Sequence, residues 1–236
     1  MKKVVSQIKK DLKKLSDPEK AKILLKFFKT EKGGYGEGDK FLGIKVPDQR
    51  KIAKKYRDLS LSKIQDLLSS KIHEYRLTSL FILADKYQRS DKNNKKKIFE
   101  FYLKNTKNIN NWDLVDSSAP YIVGDYLLDK DRKILYELAK SKKLWERRIA
   151  MLSTYTFIRN GEFEDTLKIA GILLNDEYDI IHKAVGWMLR EIGNRNQKVE
   201  EKFLKKYYQK MPRVMLRYAI EKFSEEKRRF YLGKKK

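Results

Sequence analysis

The sequence predicts an all-α protein, on three observations. Apolar residues recur at helical spacing through almost the whole chain, and strand-like alternation is scarce. A basic or aromatic residue also reopens successive apolar runs at Arg76, Trp112, Arg148, Lys183 and Arg217, at intervals of 36, 36, 35 and 34.

The elements follow in order. Asp17-Pro18 is a helix start, with Asp17 as cap and Pro18 at the first helical position. Ile23, Leu24, Phe27 and Phe28 give that helix an apolar stripe, and Pro47 opens another carrying Ile52, Ala53 and Tyr56. Leu61 to Leu68 is a short amphipathic helix; Leu77, Leu80, Phe81 and Ala84 mark a well-buried one. The series continues through Ile98–Leu103, Leu114–Leu128, Ile134–Leu138, Ile149–Ile158, Leu167–Leu174, Ile180–Ile192, Val199–Tyr208 and Val214–Phe223, about a dozen helices with short polar joints. Ala150, Ala184 and Ala219 keep step with the larger period at 34 and 35 residues. A period near 35 with two helices per unit indicates stacked helical hairpins of the HEAT-like kind. The expected architecture is one domain over residues 1–236, a right-handed superhelical α-solenoid with a concave groove and a basic tail at 233–236. The irregular Gly33–Gly43 stretch holds five of the eleven glycines; it lacks the Gly-Lys-Ser/Thr ending of a nucleotide loop and reads as a flexible connection.

Composition narrows the function. The formal charge is +24, from 56 Lys and Arg against 32 acids, a field that concentrates anionic partners, nucleic acid before membrane surfaces. The same excess also serves solubility. The absence of cysteine excludes disulfides, thiolate-bound zinc and a thiol nucleophile, and fits a reducing cytoplasm. His73 and His182 stand far apart, with no metal-ligand spacing around them, so no metal is expected. His182 reads as a hydrogen-bonded structural histidine. No apolar run of about 18 residues suggests a membrane span, and the basic start, Met1 to Lys10, has no apolar core for a secretory signal.

The candidate chemistry lies in Asn110-Asn111-Trp112-Asp113-Leu114-Val115-Asp116. Residues four apart share a helix face, so Trp112 and Asp116 can look into one space, while Asp113 lies about 100° round from Trp112. A carboxylate aimed at a polyanion is repelled by it unless it serves a positive charge arising there. Asp116 could stabilise an oxocarbenium ion or orient a water; alternatively it is a solvated helix carboxylate. Trp112 could offer its ring face to a cation, or be a core indole. Arg148 suits a phosphate or could fix the carboxylate, or is a surface arginine like Arg147. Lys183 and Trp187 again pair a cation with an aromatic plane at i,i+4, and Gly186 between them suggests either a helix crossing or a ligand's approach.

These pieces, with Pro18-Glu19-Lys20-Ala21, Phe41-Leu42-Gly43-Ile44-Lys45-Val46-Pro47-Asp48-Gln49-Arg50, Trp145-Glu146-Arg147-Arg148-Ile149-Ala150 and Lys183-Ala184-Val185-Gly186-Trp187-Met188-Leu189-Arg190-Glu191, run through most of the chain. In order and spacing they resemble the AlkD-type DNA alkylation repair glycosylases. The resemblance implies excision of cationic N3- and N7-alkylated purines from double-stranded DNA, without base flipping or a cofactor. It implies that Asp116 supports the sugar cation and the hydrolytic water, that Trp112 and Trp187 cradle the deoxyribose, and that Arg148 meets the backbone near the lesion. Phe27, Arg147, Lys183, Arg190, Arg213 and Arg217 complete the expected DNA-binding set. Two departures stand out: Phe27 falls where some relatives carry tyrosine, and the Gly33–Gly38 link is longer. A monomer in the cytoplasm, on the nucleoid when bound to DNA, is expected. The competing readings are a non-catalytic scaffold for distorted or branched DNA, and a protein-interaction solenoid.

Overall fold

The computed structural model describes residues 3–233; Met1, Lys2 and the tail residues Lys234–Lys236 lie outside them. The fold is all-α. The described residues contain no strand, only an isolated parallel bridge between Lys40 and Ile72. The chain divides after Ile122 into two compact units.

In the first unit, α1 (Lys3–Lys13) buries Val5, Ile8 and Leu12, an apolar spacing of three and four that sequence reading passed over among the lysines. Its Asp11 accepts from Lys55 Nζ at 2.7 Å and the Tyr56 hydroxyl at 2.8 Å, docking α1 on α3 (Val46–Lys55). α2 (Pro18–Phe27) starts as expected, with Asp17 accepting from the Lys20 amide at 3.0 Å. Of its stripe only Phe28, at the C-cap, is buried: α2 itself buries no residue, and Ile23 and Phe27 are 66% and 60% exposed. α4 (Leu61–Leu68) buries Ile64, Leu67 and Leu68 against α5 (His73–Gln88), the central helix, whose polar His73, Glu74 and Arg76 are buried with its apolar residues. Asp91 caps α6 (Lys92–Lys104), and Asn111 caps α7 (Trp112–Asp116).

The single helix expected over Leu114–Leu128 is broken. α7 ends at Asp116, a π-helical turn spans Pro120–Gly124, and α8 is only Asp125–Leu127. Pro120 has no N–H for an i→i−4 bond and its ring crowds the preceding turn, so the α-helical ladder cannot run through it.

The second unit alternates α9 (Lys133–Ala139), α10 (Leu144–Arg159), α11 (Glu164–Ile172), α12 (Asp179–Gly193), α13 (Gln197–Tyr207), α14 (Arg213–Ala219) and α15 (Glu225–Leu232). α10 and α12 carry the core, with Ala150, Met151, Phe157, Val185, Met188 and Leu189 buried. Gly186 is explained by packing: a Cβ there would lie 2.4 Å from the Met215 carbonyl and 2.6 Å from Tyr218 Cβ, where α12 crosses α14.

The period is visible in the backbone. α5, α10 and α12 each follow an extended N-cap residue, Ile72, Lys143 and Tyr178, 71 and 35 residues apart. In each first turn one side chain donates to the carbonyl six residues back: Arg76 to Ser70 at 2.8 Å, Arg147 to Ser141 at 3.0 Å and His182 to Asp176 at 2.6 Å. The arginine that matches Arg76 is thus Arg147, one residue from the Arg148 of the sequence reading. His182 is the hydrogen-bonded structural histidine expected.

Candidate active site

A cavity of about 480 Å³ opens in the first unit between α2, the 41–46 segment, α5 and α7. It begins with the cap of α7. Asn111 Oδ1 accepts from the Trp112 amide at 2.9 Å, which starts the helix there and places Trp112 and Asp116 on one face. Both line the cavity, and both are half-buried.

The walls are aromatic. Trp112 stacks on Phe28 (5.2 Å between centroids, planes 15° apart), and Phe27 meets Trp112 edge-on at 5.9 Å. Phe28 stacks in turn on Phe41 at 4.9 Å, and Phe41 on His73 at 4.5 Å. Such offset and edge contacts each add about 0.5–1.5 kcal/mol beyond burial. Lys20 and Arg50 supply positive charge to the lining, with the Arg50 guanidinium 4.0 Å from the Phe81 ring centroid.

Phe41 is placed by a clamp. The buried Glu74 carboxylate accepts from the amides of Leu42 (2.9 Å), Gly43 (2.8 Å) and Ile44 (3.3 Å). Gly43 has φ +81°, and a Cβ there would fall 2.0 Å from the Asp17 carbonyl, so only glycine lets this loop lie against the start of α2. Behind Phe41, the His73 ring is 2% exposed, with Nδ1 3.1 Å from Asp39 Oδ2 and Nε2 2.8 Å from Asp113 Oδ2. Asp39 also accepts from Arg76 Nη2 at 2.7 Å and Asn111 Nδ2 at 3.2 Å. Burial opposes both charges here. For His73 the two carboxylates outweigh it and hold the imidazole above its usual pKa. For Asp39, His73 and Arg76 outweigh it and keep the carboxyl below the usual carboxylate range.

The two carboxylates of the motif differ in what they do. Asp113 has Oδ2 bonded to His73 and Oδ1 buried, so it faces inward although it borders the cavity. Asp116 is the carboxylate on the face of Trp112.

The remaining expected residues lie in the second unit. Trp187 is half-buried, donating Nε1–H to Glu191 Oε1 at 3.2 Å, with its ring 6.3 Å from Tyr155. Arg148 is buried and donates to the Ile180 carbonyl at 2.6 Å. Arg147 grips Asp176 through Nε at 2.5 Å and Nη2 at 3.2 Å. Lys183 pairs with Asp179 at 3.0 Å, and Arg190 with Glu221. Arg213 donates to the Leu232 carbonyl at 2.5 Å, whereas Arg217 is exposed. Among the described residues no group of three His, Cys, Asp or Glu could hold a metal ion, and no helix is long and apolar enough to cross a membrane.

A family model described as DNA alkylation repair enzyme matches residues 8–223. The chain belongs to this family. Among solved structures it is similar to a predicted DNA alkylation repair enzyme from Enterococcus faecalis, at 17% identity and TM-score 0.67 over 89% of this chain and 97% of that one. It is also similar to AlkD2 from Streptococcus mutans, at 18% identity and TM-score 0.56 over 95% of this chain and 99% of that one. At these identities the likeness establishes the shared fold. No curated protein matches the sequence.

Within this DNA alkylation repair chain, the helical spacing put Trp112 and Asp116 in one space, and the structure brings Phe27 to the same cavity. Sequence reasoning missed Phe28, Phe41, Glu74 and the Asp39–His73–Asp113 chain. Asp39 and Asp113 lie 34 and 40 residues from His73, and no local pattern links them. The lone signal was a histidine opening the central helix.

Proposed function

We propose that the protein is a DNA N-glycosylase that excises cationic N3- and N7-alkylated purines from duplex DNA. The observation that carries this reading is the Asp116 carboxylate beside the Trp112 ring in a cavity with basic residues on its lining. An N-alkylated purine is already positively charged. When its glycosidic bond breaks, the electron pair goes to the base, which leaves neutral, and the positive charge passes to the deoxyribose. No strong general acid is needed; what lowers the barrier is a fixed negative charge near the sugar. A carboxylate about 4 Å from the developing cation, at an effective dielectric constant near 20, is worth roughly 4 kcal/mol, about a thousandfold in rate. Water then adds to the sugar's anomeric carbon and gives up a proton, for which Asp116 is the acceptor.

Trp112 and the exposed Phe27 provide ring surfaces for the sugar and its cation. The family resemblance assigns Trp187 to the same task and Arg148 to the backbone near the lesion; Arg147, Lys183, Arg190, Arg213 and Arg217 are the further basic residues proposed to meet DNA. The resemblance also implies that the lesion stays in the stack. Of these basic residues, Arg217 is the exposed one with no partner among the described residues, and the buried Arg148 donates to the Ile180 carbonyl.

The decisive experiment is release of 7-methylguanine from methylated duplex DNA. Asp116→Asn keeps the shape and removes the charge; it should lower release by roughly 10²- to 10³-fold with DNA affinity little changed. Undiminished release by that variant would overturn the assignment.

A further inference from the structure

Resting on that reading, we infer that His73 is a positioning residue of the reaction: as a doubly protonated imidazolium it holds the start of α7, and with it Trp112 and Asp116, in the geometry that base release requires.

The argument begins with hydrogen-bond chemistry. Ionised carboxylates only accept, and both ring nitrogens of His73 face one, Asp39 at 3.1 Å and Asp113 at 2.8 Å. A neutral imidazole has a single N–H and can satisfy one of them. The second must find a proton, and the ring is almost wholly buried, away from bulk solvent. The groups around it set the balance. Asp39 comes from the glycine-rich segment, Arg76 and Glu74 from α5 itself, and Asp113 from α7; the rings of Phe41 and Phe28 lie at 4.5 and 5.0 Å. Asp39 is matched by Arg76, so His73 is the cation that answers Asp113.

Three connections run from this group to the first turn of α7. Asp113 is the second residue of the helix and is bonded directly. Asn111 donates to Asp39 through Nδ2 and caps the Trp112 amide through Oδ1, so one side chain ties the network to the helix start. The ring stack His73–Phe41–Phe28–Trp112 is the third. Removing one proton sets a bare ring nitrogen against a carboxylate oxygen, and the repulsion falls on either Asp39 or Asp113, both of which position α7. His73 binds its proton more tightly than an ordinary imidazole, so its charge persists to higher pH than that of a free imidazole and is lost as pH rises through the elevated value. The arrangement therefore holds on the acid side of that titration and loosens on the alkaline side.

The test uses the full-length protein. Labelling with ¹⁵N-histidine reads the protonation of His73, with the His182 signals identified in His182→Gln. Incorporation of 5-fluorotryptophan reads Trp112, identified in Trp112→Phe. At neutral pH both His73 nitrogens should carry protons. On raising pH, the Trp112 fluorine signal should move with the His73 midpoint, and base release should fall with it. His73→Gln should lower kcat on the order of 10- to 100-fold, leave DNA affinity within about twofold, and remove the alkaline limb of the pH profile. A singly protonated His73 at neutral pH, or a Trp112 signal indifferent to its titration, overturns the inference, and so does a wild-type pH profile in His73→Gln. If wild type releases no alkylated base, the glycosylase reading fails. The two spectroscopic measurements then decide the link to α7 alone, and they do so even where His73→Gln does not fold.

Discussion

Replacing Glu74 by glutamine tests how the cavity is built. The carboxylate accepts three successive amides, from Leu42, Gly43 and Ile44, and both of its oxygens serve Leu42 at 2.9 Å. Glutamine occupies the same volume but keeps one acceptor oxygen and turns an NH₂ group toward donors. Hydrogen bonds to a charged acceptor contribute roughly 1.5–3 kcal/mol each. Not all three are lost in a glutamine variant, so the expected cost of the loop's closed state is about 2–4 kcal/mol. Amide hydrogen exchange at Leu42, Gly43 and Ile44 reads this directly. If the loop opens locally, their exchange should accelerate roughly 30- to 1,000-fold. Base release should fall as well, because Phe41 rides on this loop and packs between His73 and Phe28. Acceleration of less than about threefold, with release unchanged, would show that the loop is held by its other contacts and that the carboxylate is not its clamp.

Two further outcomes follow for the second unit. Gly186→Ala should cost about 1–3 kcal/mol, seen as a lower thermal midpoint, since the added Cβ meets backbone at 2.4 Å rather than a flexible side chain; an unchanged midpoint would mean that α12 and α14 separate freely. Glu200 is buried against Gly193, and burial, reinforced by Glu201 and opposed by Arg190, pushes its carboxyl up to about 9. The folded state therefore holds a proton that the unfolded chain has already released above its ordinary carboxyl range, and stability should fall as pH rises from there toward 9. Glu200→Gln removes that titration; denaturation measured at several pH values should give a flatter profile, and an identical slope would show that Glu200 is ionised in the native state.

The sequence was informative where chemistry is local. Asp17-Pro18 started α2, Leu61–Leu68 delimited α4, and the four-residue spacing of Trp112 and Asp116 set them on one face of α7. It misled where a local pattern has two outcomes. Ile23 and Phe27 look like core residues at helical spacing, yet α2 leaves them open, and only the partner surface decides between a core and a cavity rim. Leu114–Leu128 has a continuous apolar pattern, and the interruption comes from Pro120 inside it. The supports of the site were beyond reach for another reason. Glu74 binds a loop some 30 residues earlier, and His73 joins carboxylates from both sides of it in the chain, so their roles exist only after folding.

The hydrogen bond that recurs in the first turns of α5, α10 and α12 bears on how such a chain meets a polyanion. Arg76 and Arg147 each place one arm of the guanidinium on a backbone carbonyl and another on an aspartate, and Arg148 turns inward to Ile180. Arg132 does the same with Leu127, Leu128, Glu162 and Asp165. These cations are mortar between helices and have few free donors for a phosphate. The gross count of 56 lysines and arginines therefore overstates the number of counterions that DNA could release on binding, and the strongly hydrated lysines at the surface must carry most of the long-range attraction.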